Sequence, residues 1–255
     1  MSEILLVDAF ARRPFEGNQA AVVLLDGPAD DDWMQALAGE LGYGATCFYR
    51  DGQLRWFSPT LELTLCGHGT LATSHVLWER GAAGDELRFS TVAGELTARR
   101  HDGGIEVELP AQPAEPAEVP GLAEALGATP VAVGRAPLDI VAELASADDV
   151  RGLRPDLAAV ARIDARGVIA TAPGDDGEHQ VVSRFFAPAA GIPEDSATGS
   201  SHCALACWWA PRFGNRIRCR QLSARGATID VELAGDRVRL SSGAVTVLRG
   251  TVAGR

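Results

Sequence analysis

The sequence predicts an α+β protein made of two similar halves, and three observations carry that reading. Short apolar runs of strand length recur between turn residues, each half holds one long apolar segment of helical type, and a proline-rich stretch, PAQPAEPAEVP (110–120), separates them. The division therefore falls into an N-terminal lobe, 1–112, and a C-terminal lobe, 113–255, with the last strand, 244–249, placed to return to the first lobe.

In the first half, ILLVDAF and AAVVLL read as strands joined by the turn-rich RRPFEGNQ. A helix is expected over 30–42, where Asp30 to Asp32 favour the N-terminus, Trp33, Leu37 and Leu41 share one face, and Gly42 or Gly44 ends it. Strands follow at CFYR, LRWFS and LELTL, then a helix from Gly69 through Trp78, then strands LRFST, ELTARR and GIEVELP. In the second half, VAVGR, IVAEL and GVIATAP read as strands, with a short helix around Asp156 to Ala161. VVSRFFAP, a glycine turn, a helix from about Gly199 to Phe213, and the strands TIDVEL, DRVRLS and AVTVLR complete the chain.

Composition narrows the function classes. With 23 basic against 34 acidic residues, the formal charge of −11 opposes nucleic acid and anionic membranes, and no basic patch offsets it. No stretch has the length of a membrane span and MSEILLVDAF lacks a signal-peptide pattern, so a cytoplasmic protein is expected. Five irregularly spaced cysteines fit free thiols better than a disulfide framework. Every basic residue is arginine, which excludes Schiff-base chemistry on a lysine and the lysine-dependent phosphate loop of nucleotide hydrolases.

The halves share a local pattern: CGHGTLATSHVLW (66–78) and SATGSSHCALACWW (196–209) each place Gly-Thr or Gly-Ser (Gly69-Thr70, Gly199-Ser200) at the opening of an apolar helix. Such a turn either caps the helix or offers backbone N–H groups and a hydroxyl to a carboxylate or phosphate. Duplication favours the anion site. His68 and Asp195 stand beside these turns, where a titratable group can move a proton, although a histidine near a turn also serves plain structure.

Three blocks, VDAFARRPFEGNQAAVVLLD (7–26), LRWFSPTLELTLCGHGTLATSHVL (54–77) and SRFFAPAAGIPEDSATGSSHCAL (183–205), resemble the PhzF-like proteins of phenazine biosynthesis, which share the fold of diaminopimelate epimerase and proline racemase. The resemblance implies two pseudo-symmetric lobes, each a curved sheet or barrel around a central helix. It further implies a small carboxylate substrate, proton movement with neither metal nor coenzyme, and a homodimer. Carried onto this chain, it puts His68 and Asp195 at the substrate, Gly199 and Ser200 at its carboxylate, and Asn18 in the wall of the site, while the duplicated-turn pattern adds Gly69-Thr70 as a second place for the substrate.

One departure stands out. The family's general acid–base glutamate, in a pattern like Asn-Leu-Ser-Glu-Thr-Ala-Phe, meets GYGATCF (42–48) here and falls on Ala45. Glu40 would need a register shift to replace it, so Asp195 becomes the first candidate proton carrier and Cys66, at a helix N-terminus, the second. Tyr43 is expected to shape the pocket. Cys203, Cys207 and His202 lie close on one helix but lack a further zinc ligand, so no metal is expected, and His75, His101 and His179 show no convergent spacing. The expectation is a cofactor-independent isomerase shifting a proton or double bond in a small unsaturated or cyclic carboxylic or amino acid, in a phenazine-like or alkylproline-type pathway. The alternatives are a silenced metabolite-binding protein and a two-base racemase or epimerase using Cys66 and Asp195.

Overall fold

The computed structural model describes residues 2–101 and 104–253. The chain divides into two compact units, one formed by 1–108 with 241–255 and the other by 109–240. The first unit thus ends slightly before the proline-rich stretch and includes the C-terminal segment.

In the first unit, β1 (Glu3–Ala9) lies between β2 (Asn18–Leu24) and the last strand of the chain, pairing antiparallel with both. Its two neighbours leave β1 no open edge, and Leu5, Val7 and Ala9 are fully buried. Helix α1 (Asp31–Leu41) carries the chain to β3 (Ala45–Arg50), which pairs parallel with β2. Asp30 caps α1 by accepting from the Trp33 N–H at 2.8 Å, and Gly42 ends it in the left-handed region. A tight turn at Asp51-Gly52 leads to β4 (Gln53–Phe57). The run LELTL forms only a two-residue strand, β5 (Glu62–Leu63), because its pairing with β4 stops at Trp56 and Phe57. Helix α2 (Gly67–Glu79) follows, then the meander β6 (Glu86–Thr91), β7 (Gly94–His101) and β8 (Gly104–Pro110).

Helix α2 is buried nearly all round, which its apolar sequence requires. Its buried hydroxyls remain satisfied: Thr70, Thr73 and Ser74 each donate to the carbonyl four residues earlier, at 2.8 Å. The opposite face of β3 meets α1, where Phe48 and Phe57 pack with Met34, Ala38 and Val23.

The second unit begins with β9 (Glu115–Pro116), two paired residues inside the proline-rich stretch. Then come α3 (Leu122–Leu126), β10 (Ala132–Arg135), β11 (Asp139–Glu143), α4 (Ala147–Gly152), α5 (Leu157–Val160), β12 (Gly167–Pro173) and β13 (Val181–Phe186). Helix α6 (Gly199–Phe213) precedes β14 (Arg216–Gln221), β15 (Ala227–Ala234), β16 (Arg237–Ser242) and β17 (Ala244–Thr251), the strand that returns to β1. Strands β11 and β12 pair parallel, as do β13 and β14, the latter joined across α6. Under them, Leu126, Ile140, Leu144, Val150, Val168 and Phe186 form one core.

Helices α3 and α4 and strand β14 lie outside the expected elements. The two helices are at most six residues long, too short to display a helical period, although Ser146 caps α4 recognisably through the Asp149 N–H. Strand β14, RIRCRQ, alternates Arg with the buried Ile217, Cys219 and Gln221, a half-buried strand written with arginine on its outer face.

Candidate active site

In the first unit the structure joins two of the expected residues. Cys66 is the N-cap residue of α2 and His68 follows in its first turn, so the backbone sets them side by side, with the Cys66 Sγ 3.5 Å from His68 Nδ1. Cys66 is buried and His68 half-buried. Gly69 is required by packing: a Cβ there would stand 2.8 Å from Trp56 Cδ1 and 2.9 Å from both the Cys47 and Cys66 sulfurs. Thr70 is buried with its hydroxyl on the Cys66 carbonyl, which closes the first turn from within. The Cys47 thiol, adjacent to the same glycine, is pushed well up by burial and by the nearby Cys66.

Asn18 opens β2 and is buried, with its Oδ1 3.8 Å from where a Gly44 side chain would begin. Ala45 opens β3, opposite Ala20 of β2, and is fully buried. Tyr43 is half-buried in the loop before it, and Glu40 is exposed on α1. No ionisable side chain stands at position 45 itself.

In the second unit Asp195, Thr198 and Gln221 converge. The Asp195 N–H donates to the Phe185 carbonyl of β13 at 3.0 Å, fixing the turn to the sheet. Thr198, the N-cap residue of α6, donates its hydroxyl to Asp195 Oδ2 at 2.5 Å and caps no amide of its own helix. Gly199 and the half-buried Ser200 form the first turn. This differs from α1, α4 and α5, whose starts are capped by the side chains of Asp30, Ser146 and Asp156. The two helices predicted to carry chemistry, α2 and α6, have no side-chain cap.

His202, in the second turn of α6, is fully buried; its Nδ1 donates to the Thr198 carbonyl at 2.8 Å and its Nε2 has no hydrogen-bond partner among the described residues. Burial lowers its pKa to about 4, with the Thr198 carbonyl pulling the other way. Thr198, Gln221 and His202 were not expected at the site. Gln221 belongs to the strand that the sequence concealed, and only tertiary structure brings it to Thr198.

The remaining candidates do not converge. Burial pushes the Cys203 thiol up to about 12 and that of Cys207 up as well. His75 Nε2 lies 3.1 Å from the Thr246 hydroxyl, and His179 sits between Asp176 and Thr228. The His101 side chain lies outside the described residues. Among the described residues no three metal-ligating side chains are grouped to hold an ion, and no helix is long and apolar enough to cross a membrane.

The fold is that of the diaminopimelate epimerase-like α+β proteins. Residues 7–250 match the family described as phenazine biosynthesis-like protein, and the chain belongs to this PhzC-PhzF family. An uncharacterized isomerase of Pseudomonas aeruginosa is 43% identical, with 96% of each chain covered, and one of Halalkalibacterium halodurans is 41% identical over the same shares. The crystal structure of a PhzF-family phenazine biosynthesis protein from Enterococcus faecalis superposes with a TM-score of 0.93 at 32% identity, over 99% of this chain and 100% of that one. A hydroxyproline epimerase from Agrobacterium vitis shares the fold, with a TM-score of 0.61 over 98% of this chain and 91% of that one, at 13% identity.

Proposed function

We propose that the protein is a cofactor-independent isomerase that shifts a proton or double bond within a small unsaturated or cyclic carboxylic or amino acid, in a natural-product pathway of phenazine-like or alkylproline type. The relatives named isomerases support the reaction class. The observation that carries the mechanism is the Asp195 turn: a half-buried carboxylate held beside the start of α6, whose N-cap hydroxyl is directed to that carboxylate rather than to the helix amides. In this reading the amides and hydroxyl of Gly199-Ser200 receive the substrate carboxylate, favoured by the helix dipole, and Asp195 moves the proton. His68 and the Gly69-Thr70 turn face the substrate, and Asn18, Tyr43 and Ala45 shape the site. The active form is a homodimer.

The test incubates candidate acids in deuterated water and follows label at the carbon next to the carboxylate or along the conjugated system. Turnover by the wild type supports the reading; absence of exchange with every candidate acid favours a silenced metabolite-binding protein, for which the buried, non-ionisable Ala45 speaks. A Cys66/Asp195 two-base racemase is the other reading, favoured by the contact of Cys66 with His68. Ala45→Glu restores a carboxylate at the family position, but in a fully buried place, and is expected to leave the native exchange rate unimproved or lower it.

A further inference from the structure

The hydrogen bonds around Asp195 have a definite direction. Gln221 is fully buried at the end of β14 and faces two backbone groups whose roles cannot change: the Thr198 N–H, which only donates, and the Asp195 carbonyl, which only accepts. The amide orientation is therefore fixed, with Oε1 2.9 Å from the Thr198 nitrogen and Nε2 2.7 Å from the Asp195 carbonyl oxygen. The same Nε2 lies 3.3 Å from the Thr198 hydroxyl oxygen. Because Nε2 can only donate, that hydroxyl accepts from Gln221, and its single proton is left for Asp195 Oδ2 at 2.5 Å. The Thr198 carbonyl is held in turn by His202 Nδ1 at 2.8 Å and by the Ser201 hydroxyl at 2.9 Å. Every polar group of Thr198 thus has a partner, and the residue cannot rotate without breaking several bonds.

We infer that Thr198 and Gln221 are positioning residues for Asp195: Gln221 sets the direction of the Thr198 hydroxyl, and that hydroxyl sets the plane of the Asp195 carboxylate. The inference rests on the reading of Asp195 as proton carrier. A plain turn would need only the two backbone bonds of Gln221. The chain of donors running from the amide through the hydroxyl to the carboxylate adds a constraint on one side-chain torsion, and that torsion decides which carboxylate oxygen meets a substrate. A misplacement of about 1 Å can cost roughly a hundredfold in rate without altering how the substrate is held.

The test compares full-length wild type, Thr198→Val and Thr198→Ser, by crystal structure and by deuterium exchange on the acid that the wild type turns over. Valine keeps the shape and removes the hydroxyl; serine keeps the hydroxyl. Expected for Thr198→Val is an Asp195 carboxylate rotated or present in more than one orientation, with kcat down about a hundredfold and KM nearly unchanged. Thr198→Ser should restore both. If Thr198→Val does not fold, Gln221→Met replaces it, and a smaller rotation is expected because the hydroxyl is present but undirected. A carboxylate that keeps its wild-type orientation in the variant overturns the inference. Absence of exchange in the wild type sinks the isomerase reading instead, and the crystal comparison alone then decides the positioning role.

Discussion

Helices α2 and α6 start from similar sequences and end in different local chemistry. At α2 the first turn is closed by its own residues: Thr70 bonds back to Cys66, and Gly69 admits the Trp56 ring and two sulfurs against the helix. At α6 Ser201 and His202 likewise bond back to the N-cap carbonyl, but the turn is also braced from outside by Gln221, and its N-cap hydroxyl is directed to a carboxylate. The two openings therefore differ in their contacts: Gly69 and Thr70 close and pack the first turn of α2, while at α6 the N-cap Thr198 holds a titratable side chain. A short motif states that a helix begins; its surroundings state what the beginning does.

If this comparison is right, the largest effect belongs to the α6 side. Asp195→Asn keeps shape and hydrogen-bonding capacity but removes the base, so label exchange should fall about a hundredfold or more while substrate affinity changes little. Undiminished exchange would remove Asp195 as proton carrier and return attention to Cys66 and His68.

His202 gives a pH signature to the same helix. Its folded pKa of about 4 lies below the ordinary 6.5, since a proton on Nε2 would be buried without an acceptor. Between these values the unfolded chain binds more protons than the folded one, so stability falls as pH drops from about 6.5 towards 4 and this contribution levels off below. The loss is on the order of 3 kcal/mol. Urea unfolding of wild type and His202→Asn across that range should show a shallower acid slope in the variant, since asparagine can donate to Thr198 but does not titrate. Equal slopes would exclude His202 as the source.

On the α2 side the expected effects are on packing. Gly69→Ala forces a methyl into the Trp56 ring edge and the two sulfurs, and should cost about 1–3 kcal/mol in urea unfolding. An unchanged midpoint would mean that the helix shifts freely there. The smallest effect is Cys66→Ser, for which exchange should stay within a few-fold of wild type; a loss comparable to that of Asp195→Asn would establish the two-base alternative.

Much was legible from local pattern. Helix α1 announced itself through Asp30 and Gly42, α5 through Asp156, and α6 through an apolar run beginning at Gly199, because caps and helical periodicity act over a few residues. Asp195, His68 and Cys66 were visible as chemistry-bearing residues beside such starts. Strand β14 escaped because arginine on its outer face masked the buried Ile217, Cys219 and Gln221, and β5 fell short because strand length is set by the partner rather than by the run itself.

The sequence by itself determined the α+β class, the two helices that carry the candidate chemistry, and the absence of a carboxylate at position 45. Tertiary structure alone decided that Gln221, 26 residues beyond Asp195, would hold its turn, and that the hydroxyl of Thr198 would lie between that amide and the Asp195 carboxylate. The reason is physical: caps and periodicity are local interactions written in adjacent residues, whereas a side-chain amide meets a distant backbone only after strand pairing fixes the register between them.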